Sequence, residues 1–256
     1  MELIKSIVRV GNSAGVILPR EWLHGEARVE LVRRPIDPQR ELLELLGAYL
    51  PSVLGVYLVG SYARHEQTVK SDVDALIITK DIDKKLKEGK YEVLLVSERT
   101  LERELQENAL PLLPMLKEAL PIMNAQLIEK YQKMPLTRRN VRWHFETTRS
   151  ALRVAKASFA LSEEGYISDR IMYSLVLRLR EASIVDALMR NKVATTSGLK
   201  ALIRKVTGSL AAYEAYQRSK AEEKAQQRVP IEQAKALYDY LEQQIKELEQ
   251  WIGKKG

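Results

Sequence analysis

The chain has 256 residues, of which 45% are hydrophobic and 29% charged, and its formal net charge at pH 7 is +7. This composition is typical of a folded protein of two or three domains and not of a disordered chain. Cysteine is absent, which excludes disulfides, a thiol nucleophile and zinc–cysteine sites, and the lack of a leader pattern or of an apolar run of about 18 residues predicts a cytoplasmic protein that does not enter the membrane.

The charge is distributed unevenly along the chain. Residues 36–133 carry thirteen Lys and Arg against sixteen Asp and Glu, whereas residues 134–256 carry twenty-two against fourteen. A basic surface on the C-terminal segment could attract nucleic acid or an acidic protein. An ordinary solvated helical surface would have the same composition.

The first 35 residues have a pattern of their own. Strands are predicted over Glu2–Val10, Ala14–Pro19 and Ala27–Arg33, and a Gly-Asn-Ser turn separates the first two. Pro35 and Pro38 indicate a linker. The pattern predicts a small β-hairpin domain that ends before the next apolar run.

The run IVRVGNSAGVILPREWL resembles the swapped-hairpin DNA-binding domains of the AbrB/MazE type. That family interleaves two chains, so the resemblance implies a homodimer, and a fragment of this size is too small to hold a core alone. Lys5, Arg9, Asn12 and Arg20 are favoured for contact with DNA by charge and by place in the pattern. A hairpin retained only for dimerisation would have the same pattern.

A second pattern begins with a short apolar and β-branched run over residues 53–59, which fits a buried strand. Gly60 and Ser61 end this strand. Glycine lets the backbone turn and approach a ligand closely, and the following amides together with the Ser61 hydroxyl can donate to phosphate oxygens. We therefore expect a phosphate-binding turn.

Two aspartates follow ten residues later and open a second apolar strand, predicted over residues 73–79. Asp72 and Asp74 are two residues apart, so they project from the same face of that strand. Two hard carboxylates on one face suit Mg²⁺. The pattern predicts a pair of metal-binding carboxylates that follow the turn.

The whole stretch GSYARHEQTVKSDVDALI resembles the nucleotidyltransferases of the DNA polymerase β superfamily, in particular their minimal branch and the kanamycin nucleotidyltransferases. The resemblance covers roughly residues 40–130. It implies that Gly60 and Ser61 bind the nucleotide and that Asp72 and Asp74 are catalytic metal ligands. The implied cofactor is Mg²⁺ or Mn²⁺, and the implied substrate is an NTP, with ATP expected.

That family places a third carboxylate on a later strand, and Glu92 is the candidate in this chain. It is the sole acid in the strand-like segment Tyr91–Val96, and a charge within an apolar strand is costly unless it is paired or binds a metal. Glu92 is therefore predicted as the third ligand or the general base. An edge-strand glutamate that reaches solvent is the alternative.

Arg64 lies three residues beyond Ser61. It could meet a terminal phosphate of the nucleotide, as basic residues do in the family that the turn resembles. A solvated turn arginine is the alternative.

Beyond residue 97 the sequence predicts helices. Thr137 and Ser168 are good N-caps for long helices, and the last helix repeats apolar residues at intervals of three and four. The predicted helices are residues 100–108 and 112–120, one from Thr137 to near Gly165, one from Ser168 to about Asn191, one after Ser197 and one from about Pro230. The four long ones suggest a helical bundle.

The first long helix carries two further patterns. Arg138, Arg142, Arg149, Arg153 and Lys156 fall on one side of it, where they could follow phosphates or form a solvated flank. Residues 139–144 resemble the arginine–histidine motif of HEPN ribonucleases, which would make His144 catalytic. A structural histidine near the domain junction is the alternative.

These observations predict an α+β protein with three parts: a hairpin domain (1–35), a mixed-sheet nucleotidyltransferase domain (36–133) and a helical bundle domain (134–256). The expected function is metal-dependent transfer of an NMP from an NTP to an acceptor hydroxyl, with release of pyrophosphate. The acceptor stays open between a small molecule, an RNA end and a protein hydroxyl. The alternatives are a DNA-binding regulator or antitoxin with a nucleotidyltransferase-fold sensor, and a HEPN-type ribonuclease.

Overall fold

The computed structural model describes residues 3–32, 37–68, 71–162, 165–222 and 229–255. The chain forms two compact units, Met1–Asp37 and Pro38–Gly256. The expected hairpin boundary after residue 35 lies outside the described residues. The expected division of the larger unit after residue 133 stays a prediction.

The small unit is a β-hairpin, as predicted. Strand β1 (Ile7–Val10) pairs antiparallel with β2 (Ser13–Val16). Gly11, with φ +58°, is the first of the two turn residues, and a glycine at that position is typical of a type II′ turn, which matches the twist of the flanking strands. A single 3-10 turn, Arg20–Trp22, follows.

The strands of this unit are shorter than predicted, and the third predicted strand is wrong over residues 27–32, which have no strand pairing. The outer predicted ends, Glu2 and Arg33, lie outside the described residues. The reason is that one hairpin provides no core against which a third strand could bury its side chains: no residue is buried in the described part of the unit. Its apolar side chains are exposed, for example Ile4 at 78% and Ile17 at 71%.

The larger unit contains a five-stranded mixed sheet. The strands are β3 (Val53–Val59), β4 (Val73–Thr79), β5 (Lys84–Glu88), β6 (Tyr91–Ser97) and β7 (Leu120–Met123). Their order is β5-β6-β4-β3-β7. Only β4 and β6 are parallel; the other neighbours are antiparallel. This confirms the mixed sheet of the predicted fold class.

The sequence predicted three of the five strands, β3, β4 and β6, and missed β5 and β7. The structure confirms β3 and β4 over the predicted residues and extends β6 by one residue. Strand β5 has the charged sequence KKLKE and lies at the edge of the sheet, where charged side chains discourage pairing with other chains. Strand β7 includes Leu120, which had been assigned to a helix.

Five helices belong to this part of the unit. They are α1 (Pro38–Leu45), the single turn α2 (Gly60–Ala63), α3 (Glu98–Glu107), α4 (Leu113–Glu118) and α5 (Ala125–Gln132). Tyr57, Leu76 and Ile78 project from one face of the sheet and form a core cluster with buried residues of α3, α4 and α5. This face matters for the site, because Asp74 has the same parity along β4 as Leu76 and Ile78.

The rest of the chain is helical, as predicted. A second core is surrounded by helices α6 (Arg138–Ala160), α7 (Asp169–Met189), α8 (Thr196–Thr207), α9 (Ala211–Lys220) and α10 (Ile231–Lys255). Two short strands pair with each other in this part of the chain, β8 (Tyr166–Ile167) and β9 (Val229–Pro230). Helix α9 was not predicted. In the described ranges, no helix has the length and apolar character that a membrane crossing requires.

The predicted N-cap of α6 is confirmed, and it joins the two cores. Thr137 accepts a hydrogen bond from the Asn140 backbone N–H, and the Asn140 side chain accepts one from the Thr137 N–H at 2.7 Å. The Asn140 amide also donates to the Leu105 carbonyl at 2.9 Å, and the Asn140 carbonyl accepts from the Ala109 N–H at 2.9 Å. One buried asparagine thus satisfies the start of α6 and the end of α3.

We predict that Asn140→Ala lowers the free energy of unfolding by about 2–3 kcal/mol, since it leaves buried backbone groups at both helix ends without partners. Thr137→Ser keeps the capping oxygen and is the matched control, with a change within about 0.5 kcal/mol. Urea unfolding followed by circular dichroism measures both. Equal midpoints for Asn140→Ala and the parent would contradict this role.

Candidate active site

The predicted carboxylates meet at one end of the sheet. Val59, the last residue of β3, pairs with Asp74 on β4, and Asp74 pairs in parallel register with Glu92 on β6. Partners in register project from the same face, so Asp74 and Glu92 are neighbours. Asp72 precedes β4 by one residue and shares their side. Asp72, Asp74 and Glu92 therefore lie together at this end of the sheet, which we call the acidic edge, although they are up to 20 positions apart in sequence.

The turn that follows β3 depends on glycine for two reasons. Gly60 has φ +69°, a conformation that favours glycine. A Cβ atom at this position would lie 2.3 Å from Asp74 Oδ2. The missing side chain thus lets the Asp74 carboxylate lie directly against the backbone of the turn. The close approach to a phosphate ligand stays a prediction, and the close neighbour of the turn in the structure is a carboxylate of the same chain.

Glu118, which the sequence reasoning missed, completes the contacts of the turn. Glu118 Oε1 accepts a hydrogen bond from the Gly60 N–H at 2.7 Å, and Oε2 accepts one from Arg64 Nη1 at 2.5 Å. Only 10% of the Glu118 side chain and 21% of the Arg64 side chain is exposed. Arg64 also donates to Glu66 Oε2 at 2.9 Å. The arginine predicted for phosphate binding is thus paired with two carboxylates in this structure.

The carboxylates around the turn change the pKa of Asp74. Burial raises the pKa of the Asp74 carboxyl, and the negative charges of Glu92, Asp72 and Glu118 raise it further, against an opposing effect of Arg64. Four carboxylates therefore interact at this edge. Such a concentration of negative charge is typical of a site that binds cations.

Glu92 is accessible to solvent, and it forms an ion pair with Lys87, which the sequence did not predict. Lys87 lies opposite Glu92 in the β5–β6 pairing, and its Nζ donates to Glu92 Oε1. This hydrogen bond lowers the pKa of Glu92, and 47% of the Glu92 side chain is exposed. Glu92 therefore has both properties anticipated for it: it sits beside Asp74, and it reaches solvent near the sheet edge.

Carboxylate oxygens are suitable ligands for a divalent ion. Some of the carboxylates here already have partners within the chain, so fewer of them are free to bind an ion. Among the described residues, no group of three acidic or histidine side chains is arranged to hold a metal. Glu92 is engaged by Lys87, and Glu118 by the turn. Asp72 and Asp74 remain, and Mg²⁺ is commonly held by one or two carboxylates together with substrate phosphates. The two aspartates are the residues that would hold the ion.

The predicted DNA-contacting residues belong to the small unit. Lys5, Arg9, Asn12 and Arg20 are all exposed. Arg9 lies on β1 and donates through Nε to the Gly11 carbonyl at 2.9 Å, which holds its side chain over the turn. Their accessibility is compatible with DNA contact, and the DNA-binding role stays a prediction.

Two of the five residues in the other basic pattern, on α6, are paired with acids. Arg142 forms an ion pair with Glu146, and Arg149 forms one with Glu249 on α10. The guanidinium of Arg138 packs over Gly253 near the end of the same helix. These contacts favour the solvated flank over a surface that follows phosphates.

His144 lies in the helical core. None of its surface is exposed, and its Nδ1 lies 3.2 Å from Glu181 Oε2, which also accepts a hydrogen bond from Arg178 at 2.7 Å. Arg139, the other residue of the predicted motif, is exposed. A ribonuclease needs an imidazole that can reach RNA, so this placement supports the structural histidine.

Comparison with known proteins identifies the family of the segment that contains the sheet. Residues 39–131 match the family model of the nucleotidyltransferase domain, so this segment is a nucleotidyltransferase domain. A solved structure of a nucleotidyltransferase-like protein from Exiguobacterium sibiricum 255-15 is similar with 17% identity, covering 82% of this chain and 73% of that chain, at a TM-score of 0.38. No curated protein matches the sequence significantly. The family match does not include the hairpin, whose AbrB/MazE-type identity stays a prediction.

We predict that Glu118→Gln lowers the pKa of Asp74 toward its ordinary value. The substitution removes one of the negative charges that raise this pKa, and it frees Arg64, whose positive charge lowers it. Carbon-13 NMR titration of the Asp74 carboxyl measures the change. Glu107→Gln, at the end of α3, removes an equal charge and should leave the titration unchanged. A pKa of Asp74 that does not move in Glu118→Gln would contradict the described cluster.

Proposed function

We propose that this protein is a metal-dependent nucleotidyltransferase that transfers an NMP from an NTP, with ATP expected, to an acceptor hydroxyl. The observation that carries the proposal is the parallel register of Asp74 and Glu92 beside the Gly60 turn, within a segment that matches the nucleotidyltransferase domain. In the reaction the acceptor oxygen bonds to the α-phosphorus, the bond to the β-phosphate oxygen breaks, and pyrophosphate leaves.

Asp72 and Asp74 are assigned to hold Mg²⁺ or Mn²⁺. When bound, such an ion neutralises charge on the triphosphate and promotes ionisation of the acceptor hydroxyl. The raised pKa of Asp74 supports this role, because a cation at this edge would relieve the repulsion among the carboxylates. Asp74 supplies an oxygen beside the turn that the phosphates approach.

Glu92 is assigned as general base or third ligand. Its carboxylate is ionised at neutral pH, since Lys87 lowers its pKa, and its exposure allows an acceptor hydroxyl to reach it. A carboxylate in hydrogen-bond reach of that hydroxyl can accept its proton as the new bond forms. To do so, Glu92 must share or release the Lys87 ammonium.

Gly60, Ser61 and Arg64 are assigned to the triphosphate. Glu118 now accepts from the Gly60 N–H and from Arg64, and the spacing of its two oxygens shows that one anionic group can engage both donors. A phosphate group has the same charge-assisted geometry, so it would compete with Glu118 for these donors. Binding of the nucleotide is therefore expected to displace the Glu118 carboxylate.

The small unit supports a second proposal, a homodimer formed through the hairpin. Its described residues bury no side chain, while Ile4, Ile17 and Val32 are each more than two-thirds exposed. Apolar area of this kind is stabilised when it is covered, and an interleaved second hairpin would cover it. The candidate ligand of this dimer is DNA, because Lys5, Arg9, Asn12 and Arg20 are exposed. A DNA-binding regulator or antitoxin therefore stays the alternative function.

We predict that Asp74→Asn reduces nucleotidyl transfer at least about a hundredfold, because a metal ligand and its charge are lost. The folded state raises the pKa of Asp74, so the ionised carboxylate destabilises the fold at neutral pH, and the melting temperature of the variant should equal or exceed that of the parent. Transfer of label from α-labelled NTPs with Mg²⁺ measures the activity.

Asp81→Asn, an exposed aspartate just beyond β4, is the matched control and should retain full activity. Activity of Asp74→Asn within a few-fold of the parent would overturn the catalytic assignment. A parent that labels no acceptor, including itself, in a cell extract would overturn the proposed enzyme and favour the sensor alternative.

We predict that deletion of residues 1–37 converts a dimer to a monomer, because the hairpin is too small to bury its exposed apolar side chains within one chain. Sedimentation velocity measures the change. A truncated chain that still sediments as a dimer would place the interface in the larger unit.

A triple variant, Lys5→Gln, Arg9→Gln and Arg20→Gln, separates DNA binding from dimerisation. It should stay dimeric, bind DNA more weakly, and lose roughly one unit of salt slope for each phosphate contact removed. An unchanged affinity and slope would leave the hairpin as a dimerisation element only.

A further inference from the structure

The larger unit has a cavity of about 550 Å³ that is lined by none of the predicted catalytic residues. It is formed where α4 and α5 meet the turn that follows α7. The polar and charged residues around it are Lys117, Glu129, Gln132, Lys133, Asn191 and Lys192. Its volume is in the range of sites that bind small molecules.

The walls of this cavity are fixed by hydrogen bonds between distant parts of the chain. Lys117 Nζ donates to Asn191 Oδ1 at 3.3 Å, and Gln132 Nε2 donates to the Leu116 carbonyl at 2.9 Å. Asn191 is left-handed (φ +54°), and the Lys192 N–H donates to the Ala187 carbonyl at 2.8 Å. This is the hydrogen bonding of a Schellman helix end, which gives the turn after α7 a defined shape.

The charge around the cavity is strongly one-sided. Three lysines face one glutamate, and none of the three forms a salt bridge with a described residue. Like charges that converge without an anion repel one another. A bound anion would remove this repulsion and gain charge-assisted hydrogen bonds.

Helix α4 connects the cavity to the catalytic turn. Lys117 lines the cavity, and the next residue, Glu118, accepts from the Gly60 N–H. Strand β7, which follows α4 directly, pairs Leu120 with Leu58 near the end of β3. Lys117 is thus one residue away, along α4, from the carboxylate that contacts the Gly60 turn.

We propose that this cavity binds the phosphate group of a phosphorylated acceptor whose hydroxyl is nucleotidylated at the acidic edge. The ammonium groups of Lys117, Lys133 and Lys192 would contact the phosphate oxygens, and the amides of Gln132 and Asn191 would contact hydroxyls of the acceptor. The role as acceptor site rests on the proposed function, whereas the binding of a phosphate monoester does not. The same charges disfavour a polycationic acceptor.

The first experiment measures binding without NTP or metal, so it is independent of catalysis. The probes are ribose 5-phosphate and ribose, and a trinucleotide with and without a 5′-phosphate, measured by isothermal titration calorimetry on the full chain. We expect the phosphate to strengthen binding at least about tenfold for one probe pair. A preference in the ribose pair identifies a small metabolite, and one in the trinucleotide pair identifies a nucleic-acid end.

The double variant Lys133→Gln/Lys192→Gln tests the site itself. It should lose the phosphate preference, while the melting temperature stays near that of the parent because both side chains are exposed. Lys80→Gln/Lys205→Gln removes the same charge elsewhere and should keep the preference. Absence of any phosphate preference in the parent, or its persistence in the first double variant, would overturn the proposal.

The second experiment separates this proposal from the enzymatic one. With NTP and Mg²⁺, the preferred phosphorylated probe should become labelled by the parent and not by Asp74→Asn, while Asp74→Asn should still bind it in the calorimeter. Phosphate-dependent binding without labelling would overturn the acceptor role and retain the phosphate site. Labelling of a probe that lacks phosphate, at equal rate in Lys133→Gln/Lys192→Gln, would retain the enzyme and overturn the acceptor role of the cavity.

Discussion

Repulsion among carboxylates at one end of the sheet is the constraint on which the rest of the site depends. Burial raises the pKa of Asp74, and the negative charges of Asp72, Glu92 and Glu118 raise it further. Groups placed in this way oppose folding unless cations compensate them. The sheet can hold them because β3, β4 and β6 are buried and apolar, so the cost at their ends is offset by burial along their length.

The compensation in this structure comes from the chain itself. Lys87 pairs with Glu92, and Arg64 with Glu118, so two of the four carboxylates are engaged, and the other two, Asp72 and Asp74, are those proposed to hold the metal. The Glu118 contact has a further consequence, because it occupies the donors that are assigned to the triphosphate. Exchange of this internal anion for phosphate would couple nucleotide binding to a movement at the end of α4, where Lys117 borders the lysine-lined cavity.

The two units differ in how much apolar surface they bury. The larger one buries two apolar clusters and leaves charge at their borders, with Asn140 satisfying helix ends from both sides. The hairpin buries no described side chain and exposes apolar ones such as Ile4 and Ile17. Free energy of folding in the first comes from its own core, whereas the second has no core of its own among the described residues.

The sequence by itself determined β3, β4 and β6, the glycine turn and the shared side of Asp72 and Asp74. These follow from alternation along a strand and from turn chemistry, which are local. The tertiary structure decided what surrounds them. Glu118 meets Gly60 across 58 positions of sequence, and Lys87 reaches Glu92 through β5, a strand whose charged sequence carries no apolar signal. The lysine-lined cavity likewise arises from segments with unrelated local patterns. Such contacts depend on long-range packing, and local periodicity holds no information about it.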